Sequence, residues 1–212
     1  MSDVLEASDE ALAHLARADD VMAGLIEQYG PLDLEARRRG RPADAYGALL
    51  RSIVGQQLST KAARSIYGRL VDLFGGSTPS PAELLAVDAE TLRGVGLSRA
   101  KVRYIRDLAQ HIDDGSLELG ALGARSDEAV IAELTTVKGL GVWTAHMFLM
   151  FHLHRPDVLP VGDLGVRRAV ERHYGMEAMP DAETLERLGE RWAPYRTLAS
   201  IYLWHSLDNA PD

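Results

Sequence analysis

The chain has 212 residues, 46% of them hydrophobic, enough to bury a full core as one large or two small domains. It contains no cysteine, which excludes disulfides, thiolate zinc sites and catalytic thiols together. The formal net charge of −8 is unevenly spread: residues 36–168 hold 18 Lys/Arg against 14 Asp/Glu and the remainder 5 against 17, so the acid sits at the ends.

From the N-terminus, Leu12, Leu15, Val21, Met22, Leu25 and Ile26 follow helical spacing and predict a first helix closed by Gly30-Pro31. The opening Met1-Ser2-Asp3-Val4-Leu5-Glu6 lacks a basic region and an apolar signal core, so a cytoplasmic protein is expected, nucleoid-associated if bacterial. No membrane span is evident. Arg37 to Pro42 reads as a basic loop. A helix is predicted from about Ala43 to Gln57, and Ser59 suits the N-cap of another running to Phe74. Short helices over Pro81–Ala86 and Ala89–Arg93 lead to Gly94-Val95-Gly96-Leu97-Ser98, a glycine hairpin opening a helix through Ile112. Two stretches carry base without acid. Ala45–Val71 holds Arg51, Lys61, Arg64 and Arg69, and Thr91–Arg106 holds Arg93, Arg99, Lys101, Arg103 and Arg106. Either can face phosphates, although single cations among them also suit ordinary solvated helix faces. Helices near Asp181–Trp192 and Pro194–Leu207 end the chain. Alternating strand-like runs are scarce, so the fold class is all-α.

Between these lies the most informative segment. Asp127–Leu134 and Trp143–Phe151 flank Val137-Lys138-Gly139-Leu140-Gly141, a tight turn whose glycines can take φ > 0 and let another surface approach closely. Amides at such a turn suit a phosphate, and a bare GxG equally suits a connector between packed helices. Twenty-two residues after Gly141 comes Asp163, preceded by Pro160-Val161-Gly162 and followed by Leu164, Val166, Ala169 and Val170 at helical spacing. It occupies an N-cap position, where aspartate is favoured for capping alone.

Together the hairpin and Pro-x-Gly-Asp resemble the helix-hairpin-helix, Gly/Pro-rich, Asp superfamily of base-excision DNA glycosylases, in particular its 3-methyladenine DNA glycosylase II branch. Ile53-Val54-Gly55-Gln56-Gln57-Leu58-Ser59-Thr60-Lys61-Ala62-Ala63 is similar to the branch's segment that fills the gap left by a flipped base. Ala193-Pro194-Tyr195-Arg196 to Leu203-Trp204 resembles its last core helix, so the matches run in order from about residue 45 to 205. The resemblance implies two helical lobes flanking a DNA-binding cleft. One spans 45–150 and includes the helix-hairpin-helix at about 127–151; the other joins 1–44 to 151–212. Full-length bacterial relatives can carry an N-terminal β-domain, and the compact form is expected here because the first 44 or so residues read as helical.

The same resemblance implies the chemistry. Asp163 is the expected catalytic carboxylate, stabilising oxocarbenium character at the sugar and positioning water for C1′. Trp143 and Trp204 are the expected pocket for a cationic base, through stacking and cation–π contact, although tryptophans at helical spacing are usually core. Met147 matches a position aromatic in the bacterial enzyme. Gln57 aligns with the intercalating residue, with Gln56 and Leu58 beside it; a polar Gln there departs from the apolar wedge pattern. Lys138, Gly139, Gly141 and Lys61 are expected at phosphates. The family's hairpin can hold Na+ or K+ through backbone carbonyls, here those of Thr135, Val137 and Leu140; no other cofactor is expected, and the absent cysteines exclude the iron–sulfur cluster of some relatives. His152-x-His154 lacks a recognisable third metal ligand. Trp143 stands where bifunctional relatives carry the Schiff-base lysine, which implies base removal without strand cleavage.

The expected function is therefore a monofunctional glycosylase that excises alkylated purines, of the 3-methyladenine and 7-methylguanine type, from double-stranded DNA. It would act as a monomer without an obligate protein partner. Two alternatives stay open: the same fold acting on uracil, mismatched thymine or an oxidised purine, and a noncatalytic helix-hairpin-helix module in which Asp163 only caps.

Overall fold

Short polar side chains set where the helices begin. Ser59, Ser98 and Ser126 each accept an amide three residues on through Oγ, at 3.4, 3.2 and 3.3 Å, and Ser80 with Glu83 forms a reciprocal capping box. The computed structural model describes residues 8–34 and 42–207; among these no strand forms, and the chain is all-α. In order the helices are α1 (Asp9–Ala18), α2 (Asp20–Tyr29), α3 (Ala45–Gly55), α4 (Thr60–Leu73), α5 (Pro81–Ala86), α6 (Ala89–Gly94) and α7 (Arg99–Asp113). There follow α8 (Asp127–Leu134), α9 (Val142–Phe151), α10 (Leu164–His173), α11 (Ala182–Gly189) and α12 (Arg196–Ser206), with 3-10 turns at Leu119–Ala124 and Glu190–Trp192. No described helix is long and apolar enough to cross a membrane.

The chain divides into two compact units, Arg41–Phe148 and Met1–Gly40 with Leu149–Asp212. In the first, α3 buries Leu49, Leu50, Ile53 and Val54 and packs on α4 and α7, and α7 contributes Val102, Ile105 and Leu108. Each such side chain contributes roughly 1.5–3 kcal/mol on burial, so the ends of α3 and α7 are firmly placed. Those ends carry the groups described below. In the second unit α12 is buried from Thr197 to Trp204 and packs against α2 and α10.

One local expectation is corrected. The single helix read across Leu12–Ile26 is two helices, broken at Asp19, which is extended at φ −156°. Asp19 Oδ1 accepts the amides of Val21 and Met22, and Oδ2 accepts Tyr174 Oη at 2.6 Å and Trp192 Nε1 at 2.9 Å. A buried carboxylate needs that many donors, and supplying them bends the chain. Between α7 and α8 the chain makes the 3-10 turn at Leu119–Ala124. The basic loop expected at Arg37–Pro42 lies, apart from Pro42, outside the described residues.

Candidate active site and nucleic-acid interface

Unit Arg41–Phe148 carries the two turns expected to meet DNA. Helix α3 stops at Gly55, Gln56 forms its C-cap, and Gln57 follows in the left-handed region at φ +58°. That conformation costs a non-glycine residue roughly 1–2 kcal/mol, so the surrounding contacts must impose it. Gln57 is exposed and Leu58 is 40% exposed, with the Leu58 amide donating to Gly55 O at 3.1 Å. Gln56, expected beside the intercalating residue, is half-buried and its Nε2 donates to Gly139 O at 2.7 Å.

In the hairpin only the first glycine needs its freedom. Gly139 has φ +88°, and a Cβ there would run into the Tyr104 ring. Gly141 is exposed, has open space where a Cβ would stand, and offers its carbonyl to the Ala145 amide at 3.0 Å as α9 begins. Lys138 donates through its amide to Asp107 Oδ2 at 2.8 Å and through Nζ to Asp107 Oδ1 at 3.0 Å. Burial alone would raise the Asp107 pKa, but the Lys138 donors and charge outweigh it and hold the carboxyl below its usual range. The Lys138 amide, expected at a phosphate, is thus occupied, while its ammonium remains largely exposed. The carbonyls of Thr135, Val137 and Leu140 belong to the same turn, and Val137 O accepts the Leu140 amide at 3.1 Å. A neutral all-carbonyl donor set fits a monovalent cation better than a transition metal.

The acid-free stretches are less uniformly open than their composition implies. Arg69 Nε donates to Val95 O at 2.8 Å, Arg106 donates to Val87 O at 2.7 Å, and Arg93 pairs with Glu90. Lys101 Nζ donates to Val54 O at 2.6 Å and Gln56 O at 2.7 Å. Lys61, Arg64, Arg99 and Arg103 remain exposed. On α9, Trp143 is 41% exposed and Met147, one turn later, is 9% exposed. Burial pushes His146 below its ordinary value. Among the described residues no group of three or more His, Asp or Glu side chains converges as a metal site, and His152-x-His154 does not form one.

The second unit holds Asp163. It caps α10 from an extended conformation, φ −76° and ψ 124°, with its own amide on Pro160 O at 2.8 Å. Asp163 is 8% exposed. Oδ1 accepts the Val166 amide at 2.8 Å and the Trp204 indole Nε1 at 2.7 Å. Trp204 itself is 1% exposed and stacks on Phe151 at 6.0 Å between ring centroids. Its expected role as a stacking surface for the base is therefore revised: its faces are covered, and it supports Asp163. Gly165 makes room for this, since a Cβ there would stand 3.0 Å from Trp204 Cδ1 and 3.1 Å from Asp163 Oδ1. Sequence reasoning missed Gly165 and the inward turn of Lys101; Gly165, two residues after the Asp, was the available signal.

A glycine turn between helices and an aspartate held at the next helix start occur together in helix-hairpin-helix DNA glycosylases, and comparison with known proteins agrees. The chain belongs to the HhH-GPD superfamily of base excision DNA repair proteins, whose family model matches residues 50–194. It is similar to the Schizosaccharomyces pombe 3-methyladenine DNA glycosylase solved in complex with abasic DNA, with TM-score 0.82, 30% identity and coverage of 94% of this chain and 97% of that one. It is also similar to a DNA-3-methyladenine glycosidase from Bacillus halodurans, with TM-score 0.82, 37% identity and coverage of 95% and 91%. The Bacillus subtilis protein YfjP is 31% identical over 169 residues, which span 77% of this chain and 59% of that relative.

Proposed function

We propose that the protein is a monofunctional DNA glycosylase that excises alkylated purines, of the 3-methyladenine and 7-methylguanine type, from duplex DNA. The observation that carries this reading is Asp163. A carboxylate that is 8% exposed, at a helix N-terminus and with Oδ1 held by two N–H donors, is fixed in orientation and carries its charge in a largely dry setting. An N-alkylated purine is already cationic, so its glycosidic bond breaks with the electron pair leaving on the base, which departs neutral. Strong acid catalysis is unnecessary. Positive charge develops on the sugar, and Asp163 stabilises it while accepting the proton of the water that bonds to C1′.

The remaining residues take the binding roles. The base leaves the stack to react, at a cost of a few kcal/mol, and exposed Gln57, with Leu58 beside it, fills the gap. Half-exposed Trp143 offers a π-face to a cationic base, an interaction of about 0.5–2 kcal/mol. An indole cannot form a Schiff base, which supports a reaction that ends at the abasic site. Lys61, the Lys138 ammonium and the turn around Gly139 and Gly141 meet backbone phosphates. The Thr135, Val137 and Leu140 carbonyls would hold Na+ or K+, which would add positive charge beside a phosphate.

The test is incubation with methylated DNA and chromatography of the free bases. Release of 3-methyladenine and 7-methylguanine is expected, and Asp163→Asn should bind DNA but release neither. Release only of uracil, mismatched thymine or an oxidised purine would redirect the substrate. No release from any lesion would leave a DNA-binding module. A borohydride-trappable adduct with abasic DNA would overturn the monofunctional assignment.

A further inference from the structure

One face of α7 touches both turns that the proposed function assigns to DNA. At spacings of three, Lys101 reaches back to Val54 O and Gln56 O, Tyr104 lies against Gly139, and Asp107 accepts the Lys138 amide and ammonium. Residues three apart on a helix share a face. The two turns are also joined directly, through Gln56 Nε2 to Gly139 O at 2.7 Å across 83 residues of sequence. Gln57, sitting between Gln56 and Leu58, holds a left-handed backbone that its own side chain disfavours.

We infer that α7 is a template that fixes the gap-filling turn in register with the hairpin, and that Lys101 is a positioning residue for Gln57 rather than a phosphate contact. The ammonium satisfies carbonyls left over at the C-terminal end of α3, where a cation also complements the helix dipole. Burial lowers the Lys101 pKa, in keeping with a group turned toward the protein. A wedge that must enter a duplex without collapsing needs its backbone set beforehand, because ordering it during flipping would cost conformational entropy at that step. The inference rests on the glycosylase reading for its consequence in catalysis, but not for its consequence in the free protein.

The experiment compares the full chain with Lys101→Met and, as a second cut through the same link, Gln56→Met. In the free protein, amide hydrogen exchange at Leu58 should quicken about tenfold or more in both variants, since the turn opens locally. On methylated duplex DNA the single-turnover rate of base release should fall about tenfold, roughly the effect of one lost charge-assisted hydrogen bond. Affinity for undamaged duplex and its dependence on salt should not change. Lys101→Met combined with Gln57→Ala should be no slower than Gln57→Ala alone, because a wedge that is absent needs no positioning. A salt slope reduced by about one would overturn the inference by making Lys101 a phosphate contact. Unchanged Leu58 exchange in both variants, or fully multiplicative effects in the double variant, would overturn it as well. If the unmodified protein released no base, the glycosylase reading would fail while the exchange comparison still judged the template.

Discussion

Replacing Trp204 with Phe removes one N–H donor from Asp163 and keeps an aromatic ring in nearly the same space. The bond lost is 2.7 Å long, to a carboxylate 8% exposed from an indole 1% exposed, so water cannot easily replace it. A hydrogen bond to a charged group contributes about 1.5–3 kcal/mol. If that is felt wholly in the transition state, at about 1.36 kcal/mol per decade the rate falls roughly 10- to 150-fold. The Val166 amide still holds Oδ1, which favours the lower end. The smaller ring also leaves a void and costs about 1–2 kcal/mol of stability, so measurements belong well below the variant's Tm. The assay is multiple-turnover release of 3-methyladenine from a methylated duplex, with kcat and KM separated. A positioning role predicts a lower kcat with KM changed less than about twofold. A raised KM with kcat intact would refute the reasoning and restore Trp204 as a surface that binds the base.

Gly165→Ala should act on the same pair more gently, pushing the indole by a few tenths of an ångström and lowering kcat by less than Trp204→Phe; an unchanged kcat would mean the contact relaxes without disturbing Asp163. Gly139→Ala should lower Tm by several degrees and weaken duplex binding, since it combines φ +88° with a clash against Tyr104, whereas Gly141→Ala should be nearly neutral for stability. Equal effects at the two glycines in thermal denaturation would contradict this. Asp107 links hairpin stability to pH: its folded pKa is depressed, so its contribution is fully present above the ordinary carboxylate value of about 3.9 and is lost as pH falls through the lower folded value. Asp107→Asn should therefore differ from the unmodified protein in Tm at pH 7 and converge with it as the pH falls through the lowered folded value. A difference that persists at low pH would show that charge is not the cause.

What the sequence made legible was what depends on neighbours in the chain. The caps at Ser59 and Asp163 lie where short polar residues precede apolar periodicity, and helix ends fell within a few residues of expectation. The break at Asp19 was invisible because no Gly or Pro marks it; its cause is a pair of donors, Tyr174 and Trp192, 155 and 173 residues away. The partners of Lys101 and Gln56 were invisible for the same reason. A lysine in an acid-free run looks like a phosphate contact until the carbonyls of Val54 and Gln56, some 45 residues upstream, are seen to accept it. Composition reports how much positive charge a segment carries, not which cations already have acceptors.

In the proposed reaction the cap and the catalyst at Asp163 are not competing explanations, because the bonds that hold the carboxylate also orient it. Capping α10 and holding the Trp204 indole both fall on Oδ1. In the proposed reaction the cap would set the carboxylate's rotation against a helix whose Val166, Ala169 and Val170 are fully buried. A loop aspartate without the cap would have to be ordered during the reaction, and a capping aspartate without the indole would be held by the backbone alone. The two arrangements can be told apart by pairing Val166→Pro, which removes the amide donor and with it the buried valine side chain, with Trp204→Phe, each kcat being read well below the variant's Tm. If each donor orients Asp163 independently, the losses in kcat multiply; if the cap alone sets the geometry, Trp204→Phe adds nothing once Val166→Pro is present.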